Sequence, residues 1–297
     1  MNTAWVVQWL PGDTSRQGME QHIKIGFIGG GNMARSLIGG LLNNGWRADR
    51  IMIGEPDAFN ASLLQKVDAA LTLTTDNSAV VDNSDVVILA IKPQLFPQVV
   101  PQLQEALART RPMLVSIAAG VTIGSIRRWA GEELPIVRCM PNTPALVQSG
   151  ATGMFANTAV SDKLRNVAES ILRAVGLAVW LDSEGQLDAV TALSGSGPAY
   201  WFLMMEAMQS AAMTLGLSEE TAKILSLQTA FGAAKLALES DADFATLRER
   251  VTSKGGTTEA ALKVFEAHKL RDTVSAAMNA AAERSHELAK LFEEGQS

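Results

Sequence analysis

The chain has 297 residues, 47% of them hydrophobic, which is enough for two domains of ordinary size with a large core. Its 31 acidic and 25 basic residues give a net charge of −6, which argues against nucleic acid as the main partner. The single cysteine, Cys139, excludes an intrachain disulfide and indicates a reducing, cytoplasmic setting, and the three widely separated histidines offer no metal-ligand spacing.

Residues 1–21 are predicted to form an N-terminal tail. They contain an apolar patch, but no basic segment precedes it and no convincing small-residue cleavage site follows, which argues against a signal peptide. Met19 is an alternative start, because the first predicted strand begins shortly after it. We therefore expect the first domain to begin at residue 22.

The glycine-rich segment at 23–34 is the most informative stretch of the chain. A short apolar run predicts a buried strand, Gly29, Gly31 and Ala34 match the pattern G-x-G-x-x-A, and a helical pattern follows. In this order a strand, a tight turn and a helix place phosphates at the N-terminus of the helix, where free N–H groups favour anions. The segment predicts a nicotinamide or flavin site, and a glycine-rich turn without a ligand is the alternative.

The first half of the chain alternates predicted strands and helices. Strands are predicted at 24–28, 50–53, 71–74, 86–91, 113–117, 136–140 and 179–181, with helical patterns around 95–107 and 164–175. Such alternation indicates a parallel sheet with helices on both faces. The loops at 90–94, 118–120 and 140–144 follow the fourth, fifth and sixth strands, where open sheets of this kind bind ligands.

Glu55 follows the second predicted strand, near the position where an acidic side chain accepts hydrogen bonds from the ribose 2′-hydroxyl of NAD. Its charge would repel the 2′-phosphate of NADP, and no lysine or arginine follows directly to compensate. Alternatively, Glu55 points into solvent and has no part in cofactor choice.

After a polar boundary at 182–186, strand patterns stop and helices are predicted at 187–193, 198–215, 218–239, 244–251, 258–268 and 271–291. The apolar stretch at 199–217 contains Glu206 and Gln209, which favours a buried helix over a membrane span. The helix after Ser218 is apolar on more than one face and rich in small residues, which predicts dimerisation.

A second glycine turn, Ser253-Lys254-Gly255-Gly256-Thr257-Thr258, precedes one of these helices and could hold a small carboxylate on backbone N–H groups and hydroxyls. An ordinary helix start after a flexible turn is the alternative. The Ser194-Gly195-Ser196-Gly197 segment does not match the G-x-S-x-G motif of hydrolases, because Ser194 occupies the first glycine position.

Six motifs in a fixed order give the chain a close resemblance to the pyrroline-5-carboxylate reductase family, from about residue 23 to 291. They are Gly26-Phe27-Ile28-Gly29-x-Gly31-Asn32-Met33-Ala34, Ala90-x-Lys92-Pro93, Ser116-x-Ala118-Ala119-Gly120-Val121-Thr122, Arg138-x-Met140-Pro141-Asn142-Thr143-Pro144, Leu193-Ser194-Gly195-Ser196-Gly197-Pro198-Ala199-Tyr200 and Gly255-Gly256-Thr257-Thr258. The chain departs from the family pattern at Lys254, where proline is usual, and at Glu55, where members that prefer NADPH often carry Ser or Thr.

The resemblance implies an α/β protein with a Rossmann-type doubly wound domain at 22–182 and an all-helical dimerisation and substrate-binding domain at 183–297. It implies a homodimer with the active site near the dimer interface, or a larger ring of dimers, and NADPH or NADH as the cofactor. Residues implied to bind the cofactor are Ile28, Gly29, Gly30, Gly31, Asn32, Met33, Glu55, Asn77, Ala90, Ile91, Lys92, Pro93 and Ala119. Those implied to hold the substrate carboxylate are Ser253, Gly256, Thr257 and Thr258, with no metal.

The implied reaction is hydride transfer to the imine carbon of 1-pyrroline-5-carboxylate, which gives L-proline in the last step of proline biosynthesis. Catalysis then depends mostly on orientation, with Thr258 able to hydrogen-bond the ring nitrogen. One alternative is a β-hydroxyacid dehydrogenase, which would need a lysine base such as Lys223 or Lys235. A second is a redox sensor that binds the dinucleotide without catalysis, for which the second glycine turn would be unnecessary.

Overall fold

The computed structural model describes residues 22–293, so the predicted tail at 1–21 lies outside the described residues. By packing, the described chain forms two compact units. One contains residues 22–196 together with 280–293, and the other contains residues 197–279.

The first unit is built on an eight-stranded sheet with the order β3-β2-β1-β4-β5-β6-β7-β8. The strands are β1 (Ile25–Ile28), β2 (Ile51–Gly54), β3 (Thr72–Thr74), β4 (Val86–Leu89), β5 (Met113–Ser116), β6 (Ile136–Met140), β7 (Gly150–Ala156) and β8 (Gly176–Trp180). All neighbours are parallel except β6 and β7. Ile25 of β1 pairs with Ile51 on one side and with Val86 on the other, so the strand order reverses at β1.

Helices cover both faces of this sheet. They are α1 (Asn32–Asn43), α2 (Ala58–Val67), α3 (Asn77–Asp82), α4 (Phe96–Val99), α5 (Gln104–Thr110), α6 (Ile123–Ala130), α7 (Asp162–Arg173) and α8 (Gln186–Val190). Leu37 of α1 and Ile171 of α7 belong to one buried apolar cluster, whereas Val80 of α3 and Ile126 of α6 belong to a second. The strands between them, including β1, β4 and β5, are buried at every residue. The predicted doubly wound fold is confirmed, with one antiparallel pair added.

The sequence analysis did not predict β7. Gly150 and Gly153 weaken the strand pattern, because glycine has low strand propensity and usually marks a turn. In the structure a Cβ at Gly153 would lie 2.8 Å from a methyl group of Val190, so glycine is needed there for close packing. Helices α2, α3 and α6 were also not predicted.

The second unit is helical, as the sequence predicts. Its elements are α9 (Gly197–Thr214), α10 (Glu219–Leu238), α11 (Phe244–Arg250), α12 (Thr257–Ala267) and the first part of α13 (Leu270–Glu293). Large apolar side chains stay exposed in the single chain, including Trp201 at 64% and Phe231 at 62%. The prediction that the 199–217 segment is buried is thus not met by this chain alone. No helix among the described residues has both the length and the apolarity needed to cross a membrane.

Candidate functional site

The first glycine turn joins the end of β1 to the start of α1. Gly29 has φ +98°, a conformation that side chains disfavour, and a Cβ there would lie 2.7 Å from the carbonyl oxygen of Ala90. Its N–H donates to the carbonyl oxygen of Gly54 at 2.8 Å, which fixes the turn against β2. Glycine at this position is therefore required by the fold itself.

Gly31 is the N-cap of α1, and its surroundings fit an anionic ligand. A Cβ there would have no heavy atom within 4 Å, so the space beside it is open. The helix start has no side-chain cap and no acidic residue in its first turn. Because backbone N–H groups at a helix start need acceptors, this arrangement is suited to the pyrophosphate of a dinucleotide.

Glu55 braces the same turn from the end of β2. It is 9% exposed, its Oε2 accepts the N–H of Gly30 at 2.7 Å, and its Oε1 accepts the N–H of Asp57 at 2.9 Å. The alternative in which Glu55 points into solvent is wrong. Contact with a ribose hydroxyl stays a prediction, and a carboxylate oxygen can accept further hydrogen bonds beside these two.

Asn77 begins α3 and carries an acceptor without a partner. Its Oδ1 is buried and accepts no hydrogen bond. Among the described residues it is the one buried side-chain nitrogen or oxygen without a hydrogen-bond partner. An unpaired buried acceptor is costly, so it favours a ligand that brings a donor. A ribose hydroxyl is such a donor.

The remaining predicted cofactor residues come to the same edge of the sheet. Ala90, Ile91, Lys92 and Pro93 directly follow β4, and Ala119 lies shortly after β5. Because β1, β2, β4 and β5 are parallel neighbours, their carboxyl ends lie side by side. The structure thus brings the loop residues together with Gly29–Gly31 and Glu55, at the reversal of strand order where ligands bind such sheets.

Two buried polar side chains position the loops at this edge, and sequence reasoning gave neither a role. Asn142 Oδ1 accepts the N–H of Ala151 at 2.8 Å, and its Nδ2 donates to the carbonyl oxygen of Ser194 at 3.0 Å. These bonds link the end of β6 to β7 and to a π-helical turn at Thr191–Gly195, an irregularity frequent at functional sites.

Arg138 is the second of these side chains. It is 5% exposed, and its Nη1 lies 3.0 Å from Oε1 of Glu184. The same oxygen accepts the N–H of Ile123 at 2.8 Å, which ties the start of α6 to β6. The sequence does carry a signal for this role, because Arg138 is the one charged residue in the otherwise apolar strand Ile136–Met140.

The second glycine turn lies in the helical unit, directly before α12. Gly255 has φ +74°, and a Cβ at Gly256 would lie 2.6 Å from Oγ and 3.0 Å from the backbone oxygen of Ser253, so both positions favour glycine. Gly256 is the N-cap of α12 and provides no side-chain cap. The predicted residues Ser253, Gly256, Thr257 and Thr258 lie together around this helix start.

The chain's own carboxylate occupies part of the second turn. The N–H of Gly255 donates to Oε2 of Glu259 at 2.5 Å, and Oε1 of Glu259 lies 3.1 Å from Nζ of Lys263. The hydrogen bond from Gly255, aided by Lys263, lowers the pKa of Glu259 below its usual value of 4.5. Glu259 is the third residue of α12, so this contact caps the helix start, and it shows that a backbone N–H of the turn donates to a carboxylate of the same chain.

Comparison with known families matches two segments of the chain. Residues 24–120 match the family described as "NADP oxidoreductase coenzyme F420-dependent", and residues 184–288 match "Pyrroline-5-carboxylate reductase dimerisation". A pyrroline-5-carboxylate reductase of Pseudomonas aeruginosa is 50% identical over 90% of this chain and 97% of its own length. That of Haemophilus influenzae is 44% identical over 92% of this chain and its own full length.

Solved structures give the same result. A pyrroline-5-carboxylate reductase from Coxiella burnetii is 47% identical, with a TM-score of 0.86 over 90% of this chain and 98% of its own. A pyrroline carboxylate reductase from Plasmodium falciparum, solved with NADP bound, is 30% identical, with a TM-score of 0.80 over 91% of this chain and 99% of its own.

Proposed function

Since the chain belongs to the pyrroline-5-carboxylate reductase family, we propose that it reduces 1-pyrroline-5-carboxylate to L-proline with NADPH or NADH as the hydride donor. It is an oxidoreductase acting on a C=N bond in amino-acid biosynthesis. The observation that supports this most strongly is the presence of two glycine turns of different chemistry. One is an open turn beside Glu55, and the other is a helix start at which the N–H of Gly255 donates to the carboxylate of Glu259.

The residues of the first turn would hold the cofactor. The start of α1 at Gly31 would bind the pyrophosphate, while Glu55 and Asn77 would accept hydrogen bonds from ribose hydroxyls. When bound, the reduced nicotinamide supplies the hydride that adds to the imine carbon, which protonation of the ring nitrogen has made electrophilic. NADP is the cofactor named for both the matched N-terminal family and the Plasmodium falciparum structure.

The residues of the second turn would hold the substrate. Ser253, Gly256 and Thr257 would bind its carboxylate through N–H groups and hydroxyls, and the Thr258 hydroxyl would hydrogen-bond the ring nitrogen. A threonine hydroxyl does not titrate near neutral pH, so its role is to orient the ring rather than to donate a proton. Orientation of this kind can supply a large part of a rate enhancement when the reacting atoms are held about 3–3.5 Å apart.

We also propose that the active form is a homodimer or a ring of dimers located in the cytoplasm. The family matched at 184–288 is one of dimerisation, and apolar side chains such as Trp201, Phe202 and Phe231 are exposed in the single chain. We propose 22–182 and 183–297 as the functional division of the chain, with the second part forming the dimer. The single cysteine, Cys139, is free, which is consistent with a reducing setting.

Growth of a proline auxotroph lacking its own reductase tests the function. We expect this chain to restore growth without proline, and the Gly31→Val variant to fail. Gly39→Val is the matched control, because a side chain at Gly39 also has open space around it but lies inside α1. Failure of the well-expressed, folded wild-type chain to restore growth would refute the proposal.

A further inference from the structure

The side chain of Arg35 lies beside the first glycine turn. It extends from the first turn of α1 and is partly buried. Its Nη1 donates to the carbonyl oxygen of Gly30 at 3.2 Å and to Oδ1 of Asn60 at 3.2 Å. Its Nη2 donates to Oδ1 of Asn32. The guanidinium thus bridges the glycine turn to the first turn of α2.

Arg35 and Glu55 flank the same residue. The N–H of Gly30 donates to Glu55, and the carbonyl oxygen of Gly30 accepts from Arg35. The position of Glu55 is the one at which the 2′ position of the adenosine ribose is expected in this fold. Arg35 and Glu55 therefore contact the same residue, Gly30, next to the expected place of the ribose 2′ position. That position carries a phosphate in NADP and a hydroxyl in NAD.

The charge of Arg35 is not neutralised by a neighbouring carboxylate. All three acceptors of its hydrogen bonds are neutral, and within residues 22–293 it forms no ion pair. The two acids of the same loop have other partners, because Glu55 accepts the N–H groups of Gly30 and Asp57, and Asp57 accepts the N–H of Asn60. A guanidinium has five donors and suits a phosphate, so Arg35 keeps both charge and donors for a ligand.

We infer that Arg35, with Asn60, forms the subsite for the 2′-phosphate of NADP in this chain. This inference rests on the proposed function, because it needs a dinucleotide on the first glycine turn. It explains how the chain accepts NADP although Glu55 stands where its charge would oppose a 2′-phosphate. The compensating cation comes from α1 rather than from the loop after β2.

Binding of NADP⁺ and NAD⁺ to the purified protein, measured by calorimetry without substrate, tests the inference. We expect Arg35→Gln to weaken NADP⁺ binding by about tenfold to a hundredfold, the range for losing a charge-assisted hydrogen bond. NAD⁺ binding should change by less than about twofold, because NAD⁺ has no 2′-phosphate and is affected only through the bond from Arg35 to the turn at Gly30. Arg35→Lys should retain part of the preference for NADP⁺, and added salt should reduce it in the wild type.

Arg47→Gln is the matched control, because Arg47 lies in the same unit but pairs with Asp49 before β2 begins. It should leave both affinities unchanged. Equal NADP⁺ affinity of Arg35→Gln and wild type would overturn the inference, and so would an equal loss for both dinucleotides, which would mean that Arg35 only supports the turn. Binding of neither dinucleotide by the folded wild-type protein would overturn the proposed function as well.

Discussion

Gly31 provides open space at the start of α1, and this space is the feature that a dinucleotide needs. In Gly31→Val the Cβ would have no heavy atom within 4 Å, so the branched side chain would extend into this space. We expect unchanged thermal unfolding, and NADP⁺ affinity lowered by at least about a hundredfold, because the pyrophosphate could not approach the N–H groups. Calorimetry on Gly31→Val and Gly39→Val measures both affinities. Normal NADP⁺ binding by Gly31→Val would show that the pyrophosphate lies elsewhere.

Thr258 is the residue whose hydroxyl we assign to the substrate ring. Thr258→Val keeps the shape of the side chain but removes the donor, and a hydrogen bond to a charged group is worth about 1.5–3 kcal/mol. We expect kcat/KM for the substrate to fall by about tenfold to a hundredfold, with cofactor affinity unchanged. Activity of Thr258→Val within about twofold of wild type would refute the role of this hydroxyl.

Glu259 makes the second glycine turn sensitive to acid. Its pKa is lowered in the folded protein by the hydrogen bond from Gly255, so its ionised form adds stability above the unfolded value, and this stability is lost as the pH falls below it. We expect Glu259→Gln to unfold at a lower temperature than wild type at pH 7, and the difference to vanish well below pH 4.5. Glu266→Gln on the same helix is the control. A difference between Glu259→Gln and wild type that persists in acid would contradict this account.

The sequence predicted single residues best where backbone geometry alone determines them. Gly29 and Gly31 follow from the turn pattern, and the turn is present as expected. The contacts of Arg35 and Asn142 could not be predicted, because they join segments far apart in the chain. No local pattern encodes such contacts.

The ion pair between Arg138 and Glu184 connects β6 to the start of α6. Among the contacts between secondary-structure elements, we expect this pair to contribute most to the stability of the fold. Removing one partner of a buried pair leaves a charge without compensation, which typically costs about 3–5 kcal/mol. We expect Arg138→Met to lose about 3 kcal/mol in the free energy of unfolding, at the lower end because Glu184 is 28% exposed.

Urea unfolding of the two single variants and the double variant measures this coupling. The double variant Arg138→Met/Glu184→Leu should recover part of the loss, since it removes both charges. A loss in Arg138→Met below about 0.5 kcal/mol would show that the pair contributes no more than an exposed one.

Among the elements, the strands of the parallel sheet could be predicted because both faces are buried, which gives continuous apolar runs such as Val86–Leu89. The strand β7 could not, because Gly150 and Gly153 are typical of turns and their role depends on packing against distant residues such as Val190. Strand direction was likewise set by tertiary contacts, since β7 runs antiparallel to β6.

For the whole molecule, the sequence predicted an α/β sheet unit followed by helices, and this order is confirmed. It also predicted, after Ser218, a helix that is apolar on more than one face and takes part in dimerisation. In the single chain, Ile224, Leu227 and Phe231 of that helix are more than half exposed. Apolar area of this extent in a chain matched to a dimerisation family is what a partner subunit would cover.

We expect the purified chain to reduce the ring imine with NAD(P)H, and analysis of the products measures this reaction. With 1-pyrroline-5-carboxylate we predict one L-proline formed for each NADPH or NADH oxidised, and no oxidation of either dinucleotide with a panel of 2-keto acids. Oxidation of the dinucleotide by keto acids but not by the imine would contradict this expectation. So would folded protein that binds NADP⁺ and forms no proline.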